Sequence, residues 1–263
     1  TKYVPDYNTL ATLKKEDVVN IIDRSLKRLQ VEQLDLVQFS WWDYKFPRYI
    51  QTAVHLSELQ KSGKIKYIGV TNFDTQRIQE IIDAGVEITT NQVQYSVFDR
   101  RVEANMTALA EKHNIPYLCY GTIAGGFLSD LYLGMPDPKQ PLENRSLTKY
   151  RLIIDEFGGY DLFQELLLTL RKVANKHEVG IAEIASKYIL QKPMVGGVIV
   201  GARNSKHLNS LQKLDNFKLD ENDLNTISEI TKRSKGPKGP FYELERDKTG
   251  KHGSIMKYNL NET

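Results

Sequence analysis

Polar and aromatic side chains that could bind an organic cofactor follow the ends of several apolar segments. Asn72 and Gln92 carry amides that both donate and accept hydrogen bonds, which suits the binding of a carboxamide. Tyr120 could offer a flat face to a planar ring, and the glycines of residues 121–126 would let backbone amides approach a phosphate. Arg203, just before a predicted helix, could bind another phosphate. These residue types point to a site for a planar ring, a carboxamide and phosphate groups.

The elements that must position these groups are short apolar strands that alternate with amphipathic helices. This rhythm is typical of a parallel sheet with helical crossovers, whose sites lie at the carboxyl ends of the strands. Residues 121–159, rich in Gly and Pro, are predicted to form one long loop. The five predicted strands span residues 34–40, 64–72, 88–96, 115–122 and 195–202.

Each candidate residue also has a plain structural interpretation. Asn72 or Asp74 could cap the helix that follows, so the amide of Asn72 could serve only as a helix cap. Gln92 could satisfy backbone groups of the sheet, and Tyr120 could belong to the core. The appearance of these groups at successive strand ends is more specific than any one of them alone.

Composition excludes several classes of protein. The chain has 263 residues, a formal net charge of +3 spread along its length, and 40% hydrophobic residues. This pattern argues against nucleic-acid binding, and no apolar run approaches the ~20 residues of a membrane helix. A single cysteine, Cys119, favours a reducing compartment, so we expect a cytoplasmic protein. The five histidines are scattered, and we predict no metal site.

Several motifs resemble the aldo-keto reductases, (β/α)₈ TIM-type barrels that pass hydride between NAD(P)H and a carbonyl. The stretches "RSLKRLQVEQLDLVQF", "GKIKYIGVTNFD", "NQVQYSVFDRR", "YLCYGT" and "GVIVGAR" occur in the family's order and at its spacing. The closest resemblance is to the branch with "WWDY" after the fourth strand. It covers about residues 1–231, the predicted barrel portion, and leaves 232–263 as a C-terminal tail or flap.

The resemblance implies a nicotinamide cofactor, and we favour NADP(H) over NAD(H). Thr71, Asn72 and Gln92 would bind the nicotinamide carboxamide, and Tyr120 would stack on its ring. The remaining implied cofactor-binding residues line the pyrophosphate or the adenosine phosphate: Gly121, Thr122, Gly126, Gly201, Ala202, Arg203, Ser205 and His207. The segment that would bind adenosine departs from the family pattern, which leaves the choice of cofactor open.

The implied catalytic set departs further from the family, which uses a Tyr acid, a Lys and an Asp that lower its pKa, and a His. Lys2 matches the family lysine, and Ser40 stands at the histidine position. A serine hydroxyl can donate to a carbonyl oxygen but cannot become a cation. Trp41, Trp42 and Tyr44 are the candidate substrate-binding residues and suggest an apolar or aromatic carbonyl compound.

On this resemblance we expect an N-terminally incomplete barrel that holds the equivalents of strands 4–8. The missing part would be about 80 residues, the size of three strand–helix units, and it would include the Asp and the Tyr. The expected function of the complete form is reduction of an aldehyde or ketone with weakened or altered catalysis, as a monomer or weak oligomer. We expect this chain alone to be inactive. The alternative is a non-catalytic nucleotide-binding barrel that acts as a sensor or subunit.

Overall fold

A six-stranded parallel sheet organises the chain, and its strands neighbour one another in chain order. The computed structural model describes residues 1–201 and 212–261. Parallel neighbours require crossover connections, which the helices between the strands provide. The strands are β1 (Lys2–Tyr3), β2 (Leu34–Ser40), β3 (Ile65–Thr71), β4 (Asn91–Gln94), β5 (Tyr117–Tyr120) and β6 (Val195–Ile199).

The helices carry apolar residues at helical spacing on the faces that they bury. In the helix after β3, for example, Ile78 and Ile81 are buried, and the Asp74 side chain accepts a hydrogen bond from the backbone N–H of Arg77 at its start. The helices are α1 (Lys15–Leu29), α2 (Tyr49–Lys61), α3 (Thr75–Asp83), α4 (Met106–His113), α5 (Arg145–Phe157), α6 (Tyr160–Lys176), α7 (Ile181–Leu190), α8 (Glu221–Thr231) and α9 (Glu243–Arg246).

The chain divides into two units. The first comprises Thr1–Val93, Asn105–Tyr117 and Pro240–Thr263. Its core lies between the sheet and helices α1 to α3, where Val37, Ile68 and Val70 are fully buried. Because each strand alternates its side chains between two faces, burial of this apolar row leaves the residues between its members on the opposite face of the sheet.

The second unit comprises Gln94–Ala104 and Leu118–Gly239. Its core is aromatic. Phe163 of α6 packs edge-on against Phe98 and Phe127, with ring centroids 6.0 and 6.1 Å apart, and Phe157 packs against Phe98 at 5.9 Å. A buried ion pair between Arg101 and Asp99, 2.8 Å apart, lies in the same unit.

The sheet has one strand more than the sequence pattern predicts. Strand β1 pairs with β2, with Lys2 opposite Gln38 and Tyr3 opposite Phe39. The prediction of a five-strand remnant, an N-terminally incomplete barrel with only the equivalents of strands 4–8, is therefore wrong in its strand count. Two residues are too few to show an alternating pattern, although Tyr3 is fully buried.

The predicted loop over residues 121–159 is also wrong in part, because it contains α5. Leu147, Tyr150, Ile154 and Phe157 are buried on one face of this helix. Asn144 caps its start, since its side chain accepts a hydrogen bond from the Leu147 backbone N–H at 3.0 Å. The i, i+3, i+4 spacing of the apolar residues was visible in the sequence, but the surrounding glycines and prolines outweighed it.

Within residues 1–201 and 212–261, no helix has the length and apolarity that spanning a membrane requires.

A buried carboxylate holds the start of α8 against the end of α6. Asp223, with a side chain 2% exposed, accepts from Lys176 at 2.9 Å and lies 2.7 Å from the His177 imidazole. Burial tends to raise the pKa of Asp223, but the hydrogen bonds from Lys176 and His177 outweigh it, and its pKa lies below its ordinary value of 3.8. The ionised form therefore stabilises the second unit.

We predict that Asp223→Asn lowers the free energy of unfolding by about 1–3 kcal/mol at neutral pH, since it removes the charge that Lys176 and His177 bind. Because folding lowers this pKa, the stabilisation is present above pH 3.8 and is lost as the pH falls through the folded-state value. Urea unfolding from pH 7 to pH 2 should show a flatter acid limb for the variant.

The matched control is Glu229→Gln, because Glu229 pairs with Lys232 on the surface, where their side chains are 72% and 63% exposed. This change should alter stability by less than about 0.5 kcal/mol. An acid limb as steep in Asp223→Asn as in the unaltered chain would contradict the role of Asp223.

Candidate active site

Three polar residues stand side by side across strands β2, β3 and β4: Ser40 and Thr71 are the last residues of β2 and β3, and Gln92 is the second residue of β4. Ser40 pairs with Thr71, and Thr71 pairs with Gln92. Paired residues of parallel strands point to the same face, so these three side chains form one row, here called the polar row. The Thr71 hydroxyl donates to Oε1 of Gln92 at 3.4 Å.

The polar row presents two donors without partners. The Ser40 hydroxyl is partly exposed and forms no hydrogen bond with any residue that the structure describes. Because Thr71 occupies Oε1 of Gln92, the Nε2 group is left to donate, and it too has no described partner. Gln92 is 8% exposed, so this donor lies in a largely enclosed place. Such a row can hydrogen-bond a carbonyl or a carboxamide.

A second layer of polar side chains lies next to the polar row on the same face of the sheet. Gln38 lies two residues before Ser40, and its Nε2 group donates to Oγ1 of Thr90 at 2.9 Å. This bond passes over Gly69, where a Cβ atom would lie 2.7 Å from Oε1 of Gln38. Gly69 therefore provides the space that lets Gln38 reach Thr90 across β3.

Lys2 lies on the same face of the sheet as this layer, because it pairs with Gln38. Surrounding protein atoms desolvate its ammonium group and lower the pKa of Lys2 from 10.5, although the residue is exposed at its outer end. It forms no ion pair with a described residue. Lys2 is thus a cation directed toward the same face as Ser40.

Asn72, the next residue after the polar row, has a left-handed backbone conformation with φ 58°. Its backbone N–H donates to the carbonyl of Gln92 at 2.9 Å, and its carbonyl accepts from Arg246 at 2.6 Å. The helix cap that could have explained Asn72 is Asp74 instead. The amide side chain of Asn72 therefore does not cap α3.

The three predicted substrate-binding aromatics differ in accessibility. Trp41 is 2% exposed, and its indole N–H donates to the carbonyls of Asp43 and Phe46. Trp42 is partly exposed and donates to the carbonyl of Pro5 at 2.8 Å. Tyr44 is partly exposed and accepts from Arg246 at 2.8 Å, and burial of its hydroxyl raises its pKa. Contact of these residues with a substrate stays a prediction.

In the second unit, Tyr120 and the residues after it are covered by α5. The ammonium of Lys149 lies 4.9 Å from the centre of the Tyr120 ring. Gly121 has φ 74°, and a Cβ atom there would collide with the Tyr150 hydroxyl. The Thr122 hydroxyl is buried and has no hydrogen-bond partner among the residues that the structure describes. Gly126 has φ 110° and open space around it.

Most of the residues that are predicted to bind the adenosine phosphate lie outside the part of the chain that the structure describes. Gly201 is exposed. Ala202, Arg203, Ser205 and His207 lie outside the described residues, so their binding roles stay predictions. In the described part of the chain, no group of three or more His, Cys, Asp or Glu side chains could hold a metal ion.

Sequence reasoning missed Arg246, which contacts both Tyr44 and the carbonyl of Asn72. It also missed Lys149 and Tyr150, which lie against Tyr120 and Gly121. The apolar spacing of α5 could have located the latter two. No local pattern could have located Arg246, which is separated from Asn72 by 174 positions.

A family profile and a curated relative point to the same family. The profile described as "Aldo/keto reductase family" matches residues 1–232. The chain is 29% identical to the aldo-keto reductase YhdN of Bacillus subtilis over 232 residues, which is 86% of this chain and 66% of that protein. It is also 31% identical to flagellar radial spoke protein 5 of Chlamydomonas reinhardtii over 176 residues, 60% of this chain and 33% of that protein.

A solved structure shows the same fold. The glycerol dehydrogenase AKR11B4 from Gluconobacter oxydans superposes with a TM-score of 0.73 at 24% sequence identity, covering 86% of this chain and 67% of that one. This likeness shows the (β/α)₈-barrel fold class. The chain spans about two thirds of YhdN and one third of the radial spoke protein.

These findings correct one expectation and establish another. The expectation that the N-terminal portion of the family pattern is absent is wrong, because the family profile matches from residue 1 and β1 already belongs to the sheet. The resemblance itself is confirmed over nearly the whole chain. With 232 of its residues matched by the profile, the chain belongs to the aldo/keto reductase family.

Proposed function

We propose that this protein is an NAD(P)H-dependent oxidoreductase that reduces an aldehyde or a ketone. The observation that carries the proposal is the polar row of Ser40, Thr71 and Gln92, in which the Ser40 hydroxyl and Nε2 of Gln92 have no hydrogen-bond partner among the described residues. Family membership agrees with this chemistry.

Each unit contains described residues that suit a part of a reduced nicotinamide nucleotide. In the first unit, Nε2 of Gln92 is a free donor for the carboxamide oxygen, and Asn72 follows the same row. In the second unit, Tyr120 is partly exposed beside Lys149, and the buried Thr122 hydroxyl has no partner among the described residues, so a phosphate oxygen could accept a hydrogen bond from it. A buried hydroxyl without a partner costs free energy, which a bound oxygen would recover.

The proposed catalytic roles belong to the ammonium group of Lys2 and the hydroxyl of Ser40. When bound, the reduced nicotinamide supplies the hydride to the carbonyl carbon, and an acid must supply the proton to the oxygen. Lys2 provides the cation that assists that acid, and its lowered pKa agrees with a partly desolvated position. Ser40 donates to the carbonyl oxygen through its free hydroxyl, as an uncharged and shorter donor than histidine. Catalysis is therefore weaker than with a histidine at this position.

The expectation that this chain alone is inactive stays a prediction, which the turnover of the purified chain decides. Nucleotide binding without any turnover would favour the alternative, a non-catalytic nucleotide-binding barrel. The preference for NADP(H) rests on Arg203 and its neighbours, and titration with both nucleotides decides it.

We predict saturable binding of NADPH to the purified chain, measured by the change in nucleotide fluorescence. Gln92→Leu should weaken binding about tenfold, since it removes one or two hydrogen bonds to the carboxamide. The matched control is Gln51→Leu, because Gln51 is exposed on α2 and should not affect affinity. Absence of binding to both NADPH and NADH at millimolar concentration would refute the proposed function.

We predict opposite effects for two substitutions of Ser40 on the rate of NADPH-dependent reduction of a small aromatic aldehyde. Ser40→Ala removes the donor and should lower turnover, while Ser40→His restores a donor that can carry charge and should raise it. The loss of a comparable donor costs on the order of 10²–10³ in rate, which sets the scale. NADPH affinity should stay the same in both variants. Unchanged or lower turnover in Ser40→His, with NADPH bound normally, would count against this role.

A further inference from the structure

The C-terminal segment of residues 240–261, which belongs to the first unit, is packed or hydrogen-bonded near both of its ends. Near its start, Phe241 and Tyr242 are buried, and Glu245 is 1% exposed. Near its end, the backbone N–H groups of Leu260 and Asn261 donate to Asp6 at 2.7 and 2.9 Å. Buried side chains near its start and hydrogen bonds to Asp6 near its end therefore fix the position of this segment within the first unit.

Arg246, at the end of α9, connects this segment to Asn72, the residue that follows Thr71 of the polar row. Its Nη2 group donates to the carbonyl oxygen of Asn72 at 2.6 Å and to the Tyr44 hydroxyl at 2.8 Å. The guanidinium lies 4.3 Å from the centre of the Tyr44 ring, and Nη1 donates to the carbonyl of Tyr242 at 3.2 Å. Four contacts therefore fix the position of this guanidinium.

Asn72 needs such an anchor because of its backbone conformation. A φ of 58° lies in the left-handed region, which Asn adopts more readily than other residues with a Cβ atom but which still costs free energy that surrounding contacts offset. The N–H of Asn72 is held by the carbonyl of Gln92 on β4. Its carbonyl is held by Arg246. Because the peptide groups on both sides are fixed, the direction in which the side chain leaves the backbone is fixed too.

We propose that Arg246 is a positioning residue for nucleotide binding, which acts by holding Asn72 in the left-handed conformation that directs its amide to the nicotinamide carboxamide. The inference rests on the proposed function. It assigns to the C-terminal segment a part in cofactor binding that it performs without touching the cofactor. Affinity for the nucleotide then depends on the docking of this segment.

The test compares three variants by NADPH titration and by hydrogen exchange at the Asn72 amide. Arg246→Gln should weaken NADPH binding about tenfold and speed exchange of the Asn72 N–H. Arg246→Lys keeps the charge and one donor, so it should recover part of the affinity. Lys248→Gln is the control, because Lys248 lies 3.8 Å from the Tyr7 ring in the same segment and does not contact Asn72.

The outcomes separate this inference from the proposed function. Equal weakening in Lys248→Gln and Arg246→Gln would overturn the inference, because it would show only a general loosening of the segment. Unchanged affinity in a folded Arg246→Gln variant would also overturn it. If the unaltered chain binds no nucleotide, the proposed function fails, and amide exchange still decides the positioning role: an Asn72 exchange rate unchanged by Arg246→Gln would exclude it.

Discussion

The parallel register of β2, β3 and β4 is the constraint on which the rest of the site depends. It places Ser40, Thr71 and Gln92 opposite one another, and a shift of one residue in any strand would turn that strand's side chain to the other face. The register is held by apolar packing on the opposite face, where Val37, Ile68 and Val70 are fully buried. The same alternation that buries these residues presents the polar row, so one pattern serves both stability and binding.

Contacts distant in sequence complete what the register begins. Gly69 leaves space for Gln38 to reach Thr90, and this hydrogen bond lies beside the polar row on the same face of the sheet. Arg246 reaches the carbonyl of Asn72 from a segment at the other end of the chain. Both hydrogen bonds are partly buried, and they fix the Gln38 side chain and the Asn72 backbone beside the polar row.

The sequence predicted β2 to β6 but missed β1, which is too short to show a pattern, and α5, whose apolar spacing lies among glycines and prolines. Strands β2 and β3 were found because seven residues each show an alternating or continuous apolar run. Strand β1 has two residues and shows no period. The site was predicted as far as it follows directly from strand ends. The role of Arg246 could not be predicted, since it depends on a tertiary contact that no local pattern encodes.

Hydrogen–deuterium exchange with and without NADPH tests most directly whether these residues bind the nucleotide. It reports protection in the peptides of both units in one experiment and does not depend on catalytic turnover. The account predicts that saturating NADPH slows exchange in the peptides that contain Thr71–Asn72, Gln92 and the Gly121–Gly126 loop, and leaves α1 unchanged. Exchange that is the same with and without NADPH in all of these peptides would contradict it, as would protection confined to other parts of the chain.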